Sequence, residues 1–216
     1  MYTINNDISN EIIIKNSRFI CVCYKIYSKE DILNYLDNIK NIYKDATHYC
    51  YAYICDDIKK SSDDGEPGGT AGIPILQVLE KNNLNYILCI VIRYFGGLKL
   101  GAGGLVRAYT KSVTECLKNT NLLLLELGYN IEIEFSYDRV KQIDYILRDE
   151  NIINKSYDTN IKYQIYIHKN TLDNLKQISD ININIINSIY IEKRDWIRSL
   201  FIIESAIDGI NLSRIF

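Results

Sequence analysis

The stretch SSDDGEPGGTAGIPILQVLEKNNLNYILCIVIRYFGGLKLGAGGLVRAYTKSV, residues 61–113, decides the fold of this chain. Nine of the chain's eleven glycines lie between residues 65 and 104, and both of its prolines lie there too. Glycine adopts backbone angles that other residues avoid, so this region is predicted to form shaped loops around short elements. Apolar runs interrupt the glycines, which excludes a flexible linker.

Regular elements are predicted on both sides of the glycines. Ser28 and Asp31 form the S-x-x-D pattern that starts a helix with one apolar face. Two strands joined by a turn at Asn16 and Ser17 precede this helix, and alternation of apolar and polar residues indicates them. The elements predicted after the helix are a strand at 49–55, a loop at 56–66, a short helix at 75–81, a strand at 86–92 and a helix at 105–117.

From about residue 129 a glycine-poor pattern begins, with elements in the order βαββαβ. This is the order of a ferredoxin-like domain. The fold class is therefore α+β, with a first domain at residues 1–128, a ferredoxin-like domain at 129–191 and a boundary near Gly128. Residues 192–216 form a C-terminal extension to which the pattern assigns no structure.

Composition limits the classes of function. The chain has 216 residues and a formal net charge of -2, so a buried core is expected and a general affinity for polyanions is not. Neither a signal peptide nor a membrane span is recognised. The six cysteines are expected to be reduced thiols in a cytoplasmic protein.

A local positive patch nevertheless lies within the glycine-rich region, because residues 81–114 contain five basic residues and no acidic one. Gly101, Gly103 and Gly104 lead directly into a predicted helix, where backbone amides and the positive helix end can receive a phosphate. The basic residues are Lys81, Arg93, Lys99, Arg107 and Lys111. These glycines also fit a purely structural role in tight turns and close packing, and both interpretations stay open.

Aromatic residues interleave with this patch. Tyr94, Phe95 and Tyr109 suit stacking of bases from single-stranded RNA. Tyr109 also falls on the apolar stripe of its helix, and Phe95 at the end of a buried strand fits a core position. Arg93, Tyr94, Lys99, the three glycines, Arg107 and Lys111 are therefore the candidate nucleic-acid or anion-binding residues.

Three polar side chains in and before the first glycine block, residues 64–74, are further candidates. Asp64 and Glu66 lie beside Gly65 and Pro67, and could hold a divalent cation or act in acid/base chemistry. His48 suits binding or proton transfer, or packing at the start of a strand. The cysteines do not form the paired C-x-x-C units of a zinc site, and no G-x-x-x-x-G-K-[ST] loop is present. No metal and no cofactor are predicted.

The blocks at 64–74 and 93–110, with Ser17, Arg18, Phe19, His48 and Tyr51 upstream, strongly resemble the signature of the YigZ/IMPACT family. The first block also contains Thr70. The resemblance implies a first domain similar to domain 2 of ribosomal protein S5 and a ferredoxin-like second domain. It also implies a role near translation, since eukaryotic members regulate a translation-initiation kinase through its activator. Their accessory domain is different, so that partner does not transfer to this chain.

These observations predict a non-catalytic, translation-associated regulator that binds RNA, the ribosome or a regulatory protein through its basic glycine-rich face. The alternative is an enzyme that handles nucleotides or phosphoesters with the second glycine loop, Asp64 and Glu66. Enzymatic activity is the less favoured interpretation, because no complete catalytic set can be assembled from the sequence.

Overall fold

A computed structural model describes residues 1–193. All but the first two residues of the C-terminal extension at 192–216 lie outside the described part. The described chain contains ten strands and five α-helices, and the mixed α+β class is confirmed. Among residues 1–193, no helix has both the length and the apolar composition that a membrane crossing requires.

Five antiparallel strands form the first sheet, in the order β2-β3-β6-β4-β5. Their bounds are β2 Ile8–Ile14, β3 Ser17–Lys25, β4 His48–Cys55, β5 Ile58–Ser62 and β6 Ile87–Tyr94. β6 lies in the middle and is covered on both faces, which explains the unbroken apolar sequence of its residues 87–92. Cys89 and Val91 face one hydrophobic core, and Ile90 and Ile92 face another.

Helices cover the two faces of this sheet. One face carries α2 (Gly72–Lys81) and α3 (Ala102–Leu117), which bury Ile75 and Tyr109 against it. The other face carries α1 (Lys29–Ile42). The predicted start of α1 is confirmed, because the Ser28 side chain accepts a hydrogen bond from the Asp31 amide and the Asp31 carboxylate accepts one from the Ser28 amide.

A strand replaces part of the loop predicted at 56–66. β5 pairs with β4 as a hairpin whose turn contains Asp56 at a φ of 57°. The loop prediction was wrong because β5 is an exposed edge strand whose polar residues, Lys59 and Lys60 among them, give no apolar alternation. α2 and α3 each begin three residues earlier than predicted.

The second sheet contains the predicted βαββαβ elements. Its strand order is β10-β7-β9-β8, and the short β1 pairs with the beginning of β7. The elements are β1 Tyr2–Ile4, β7 Leu122–Phe135, α4 Val140–Ile146, β8 Asn151–Tyr157, β9 Ile161–His168, α5 Lys169–Leu175 and β10 Ile181–Glu192. A 3₁₀ turn, Tyr137–Arg139, precedes α4. Neither β1 nor the first half of β7 was predicted.

Gly128 lies inside β7, so no loop separates the two sheets at the proposed boundary. A Cβ at this position would lie 2.4 Å from Ile191 Cδ1 and 2.9 Å from the Ile167 carbonyl oxygen. Gly128 therefore permits close approach of the neighbouring strands, and the division of the chain there stays a prediction.

The cysteines differ from the expected six free thiols. Cys23 and Cys89 lie opposite each other in the β3–β6 register, with Cα atoms 4.3 Å apart, and form a disulfide. Sequence could not show this pair because the register of the two strands brings it together across 66 residues. Cys21, Cys50, Cys55 and Cys116 are free thiols.

Candidate functional site

A cleft of about 360 Å³ opens between the first glycine block and the start of α3. It joins residues from three segments that are far apart in sequence, 47–48, 66–67 and 93–105. Its lining consists of Thr47, His48, Glu66, Pro67, Arg93, Phe95, Lys99, Leu100, Gly101, Ala102 and Leu105. The fold thus brings His48, Glu66, Arg93, Lys99 and Gly101 of the candidate residues to one place.

A buried ion pair forms one wall of the cleft. Arg93 Nη1 donates to Glu66 Oε1 at 2.5 Å, and the side chains are only 6% and 3% exposed. The Tyr109 hydroxyl donates to the same carboxylate oxygen at 2.8 Å. Burial, followed by the neighbouring Cys50 thiol and Glu66 carboxylate, raises the pKa of Tyr109, so its phenol stays protonated and remains a donor.

His48 contacts the same network from the rim. Its Nδ1 lies 2.8 Å from the Asp64 carbonyl oxygen, which only accepts, so Nδ1 carries a proton. Its Nε2 lies 3.9 Å from Glu66 Oε2. The backbone of the first glycine block therefore fixes the orientation of His48 beside the buried carboxylate.

Asp63, which was not among the residues predicted from sequence, organises the first glycine block. Its carboxylate accepts hydrogen bonds from the amides of Gly69, Ala71 and Gly72 at 2.8–2.9 Å. Partial burial raises the pKa of Asp63, but these three amides together lower it more, so the net direction is downward. Sequence would have pointed to Asp63 only with the correct start of α2, because Ala71 before that helix has no capping side chain and an acceptor must come from elsewhere.

The other two candidates in this block have structural contacts. Asp64 adopts a φ of 41°, and its carboxylate accepts from the Tyr49 amide at 2.6 Å. The buried Thr70 hydroxyl donates to the Pro67 carbonyl at 2.7 Å. With Glu66 held by Arg93 and Tyr109, both carboxylates of the cation-binding alternative already have partners.

The second glycine block, residues 93–110, shapes the start of α3. Gly101 is the N-terminal cap at a φ of 72°, a conformation that favours glycine. The first amides of a helix have no partner within it, and in the described part of the chain no side chain caps those of α3. Gly104 packs closely on Leu100, whereas Gly103 is exposed and a Cβ there would meet only Arg107 Nη1, at 3.8 Å.

Three exposed cations surround this helix start. Lys99 precedes it, and Arg107 and Lys111 lie on its exposed side, as predicted from their spacing of four residues. Within residues 1–193, no carboxylate lies within ion-pair distance of any of the three. The nearby Glu115 pairs instead with Lys118 at 2.8 Å.

Two candidate residues are not on this exposed surface. Arg93 is buried in its ion pair, although its side chain lines the cleft. Tyr94 follows Arg93 on β6 and points to the α1 side, where its hydroxyl donates to the Lys44 carbonyl at 3.1 Å and Arg18 stacks on its ring. Alternation along a strand separates these neighbours.

Two other places in residues 1–193 are poorly suited to a ligand. The sulfur atoms of Cys21, Cys23 and Cys116 lie within 4.8 Å of one another, but all three are buried. Cys23 is in the disulfide, and the Cys116 thiol donates to the Cys21 carbonyl. A depression of about 410 Å³ in the second sheet is lined by Glu134 and Asp180, which do not suit an anion.

Comparison with known proteins identifies relatives over most of the chain. Residues 15–117 match the Impact N-terminal domain. IMPACT family member YvyE of Bacillus subtilis (strain 168) is 38% identical over 173 residues, which are 78% of this chain and 80% of the relative. IMPACT family member YigZ of Escherichia coli (strain K12) is 34% identical over 151 residues, covering 67% and 74%.

A solved crystal structure described as that of a hypothetical protein has the same general fold. Its TM-score is 0.69 at 27% sequence identity, and the match covers 86% of this chain and 97% of the other. The likeness therefore extends beyond the Impact N-terminal domain into the second sheet.

Proposed function

The chain belongs to the YigZ/IMPACT family, and we propose that it is a cytoplasmic, non-catalytic, translation-associated factor that binds RNA through its basic glycine-rich face. The translational part of the proposal follows from the family. The first domain is proposed to be similar to domain 2 of ribosomal protein S5, and the second to be ferredoxin-like. The strand order β10-β7-β9-β8 of the second sheet supports the ferredoxin-like assignment of the second domain.

The observation that carries the proposal is the start of α3, whose first amides are not capped by a side chain, beside Lys99, Arg107 and Lys111. Helix amides and the positive helix end attract a phosphate, and the three cations add charge; among residues 1–193 none of them has a carboxylate within ion-pair distance, although Lys111 also acts on Glu115, which pairs with Lys118. Such a surface in a chain of net charge -2 concentrates anion affinity in one place.

The competing enzymatic interpretation is weaker. Glu66 Oε1 accepts from Arg93 and Tyr109, and Asp64 Oδ2 accepts from the Tyr49 amide, so both carboxylates already hold the fold together, and the charge of Glu66 is balanced by Arg93. His48 also lines the cleft, but a single histidine does not make a complete catalytic set.

The second sheet is proposed to position the first domain on a protein partner or on the ribosome. Ile131 and Ile133 face α4 and α5, so alternation puts Asn130, Glu132 and Glu134 on the face without helices. The same face of β9 carries Lys162 and Gln164. Amides, two carboxylates and a lysine that pairs with Glu134 at 3.4 Å favour contacts with protein over contacts with phosphate.

Titration of a labelled single-stranded RNA tests the proposed function. The double variant Arg107→Ala/Lys111→Ala is expected to weaken a micromolar-class affinity, and to reduce the slope of log affinity against log salt by roughly 0.7 for each phosphate that is no longer neutralised. The matched control Lys141→Ala/Lys176→Ala removes the same charge from exposed positions near the second sheet and is expected to leave binding unchanged. Equal affinity of all three proteins, or no dependence on salt, contradicts the proposal.

A further inference from the structure

Phe95 presents an aromatic ring at the mouth of the cleft. It is 47% exposed, although its position at the end of a buried strand suggested a core residue. The guanidinium of Arg93 lies 5.6 Å from the ring centroid and 5.4 Å from that of the buried Phe19. Phe95 is therefore supported from the protein side and accessible to solvent.

The backbone around Phe95 is held in place. Its amide donates to Thr47 Oγ1 at 3.0 Å, and the amide of Gly96 donates to Ser17 Oγ at 3.1 Å. Gly96 packs so closely on the β2–β3 turn that a Cβ would lie 2.1 Å from the Asn16 carbonyl carbon. Because the backbone is held here, little main-chain freedom is lost when a flat ligand stacks on the Phe95 ring.

The same cleft carries groups for an anion. Gly101 and Ala102 at the start of α3 and the Lys99 side chain line it together with Phe95. The Arg93 side chain, 6% exposed, also lines it; Glu66 balances its charge, and its buried Nε has no hydrogen-bond partner among the described residues, so Lys99 is the cation of the cleft that is exposed. Aromatic and anion-binding groups thus share one cleft of about 360 Å³, near the lower end of the roughly 300–1,000 Å³ common for small-ligand pockets.

We propose that this cleft holds one unpaired nucleotide of a single-stranded RNA, with its base on Phe95 and a phosphate at the start of α3 beside Lys99. The inference rests on the proposed function and gives it a ligand class. Bases within a duplex are covered by their neighbours, so only an unstacked base reaches an aromatic ring. Phe95 therefore discriminates single strands from duplexes, while Arg107 and Lys111 attract both.

The test measures affinity for a labelled single-stranded RNA of about eight nucleotides, within the usual site size of single-strand binders, and for a blunt duplex of the same sequence. Phe95→Ala is expected to weaken single-strand binding about 5- to 100-fold, which corresponds to the stacking of one base, and to change duplex binding less than about twofold. Phe95→Trp is expected to retain single-strand binding. The exposed Tyr157, outside the cleft, supplies the control Tyr157→Ala, which is expected to change neither affinity.

The outcomes separate the two claims. If the wild-type protein binds neither RNA, the proposed function fails. If it binds both RNAs equally and Phe95→Ala has no effect, the RNA-binding face survives and the nucleotide cleft is refuted. Adenosine 5′-monophosphate distinguishes the source of the nucleotide, because competition at the affinity of the single-stranded RNA itself would make a free nucleotide the ligand and overturn the assignment to RNA.

Discussion

Arg93 and Glu66 form an ion pair of 2.5 Å across 27 residues of sequence, and both side chains are almost fully buried. Arg93 lies at the end of the central strand β6, and Glu66 lies in the first glycine block. The pair therefore fastens that block to the sheet and forms a wall of the cleft. Its charges serve the architecture of the site, while the exposed cations of the second glycine block and α3 provide the attraction for a ligand.

The buried pair predicts a large cost when one charge is removed. Glu66→Gln leaves Arg93 without a counter-charge and is expected to lower the free energy of unfolding by roughly 3–5 kcal/mol. Glu80→Gln is the matched control, since Glu80 pairs with Lys59 at 2.8 Å on the surface, and it is expected to cost about 1 kcal/mol or less. Urea denaturation measures both values, and similar costs for the two variants would contradict the role assigned to Glu66.

Asp63 predicts a specific dependence of stability on pH. Its pKa in the folded chain is lowered, so its contribution is complete above the unfolded pKa of about 4 and is lost as the pH falls through the folded value. Asp63→Asn is expected to cost about 1–2 kcal/mol at about pH 7 and progressively less toward acid. Asp57→Asn, at an exposed position in the β4–β5 turn, is the control. A cost for Asp63→Asn that does not change between about pH 7 and about pH 3 would exclude this account.

Gly103 separates helix stability from anion binding. Its side of the helix is open, so Gly103→Ala and Gly103→Asp are both expected to raise the melting temperature, because glycine inside a helix costs up to about 1 kcal/mol relative to alanine. The aspartate carboxylate would occupy the positive helix end and repel a phosphate, so only Gly103→Asp is expected to weaken RNA binding. Equal RNA affinities of these two variants would show that no phosphate lies at this end of α3.

Thiol labelling tests the placement of the cysteines. Cys21, Cys50 and Cys116 are buried and Cys55 is partly exposed. Burial is the main cause that raises the pKa of each of Cys21, Cys50 and Cys55, that of Cys50 to about 12. We expect slow alkylation of Cys55 alone in the native protein, and its loss in Cys55→Ser. Rapid labelling of Cys21 or Cys116 without denaturant would contradict the core packing.

The elements predicted correctly from sequence are those whose signals are local. The capping residues Ser28 and Asp31 are three positions apart, and residues 87–92 of β6 are one unbroken apolar run, so both elements were predicted. β5 was missed because an edge strand exposed to water does not need apolar residues. β1 was missed because three residues give no periodicity.

The site was less predictable because its contacts are between distant segments. Arg93 was assigned to an exposed anion surface, since nothing local reveals that Glu66 reaches it. Tyr94 was grouped with the α3 residues, although strand alternation already implied that Arg93 and Tyr94 face opposite sides. Exposure of Phe95 depends on how the following glycines turn the chain against the β2–β3 hairpin, which only the tertiary structure shows.

The most direct measurement of the central claim is ultraviolet crosslinking of the wild-type protein to single-stranded RNA, with mass spectrometry of the crosslinked peptides. The residues proposed to contact RNA, from Phe95 at the cleft to Lys111 on α3, lie in residues 93–111, so the crosslinks are expected in peptides from that segment, with Phe95 among the crosslinked residues. Crosslinks confined to residues 129–193 would place the RNA on the second sheet and contradict the account.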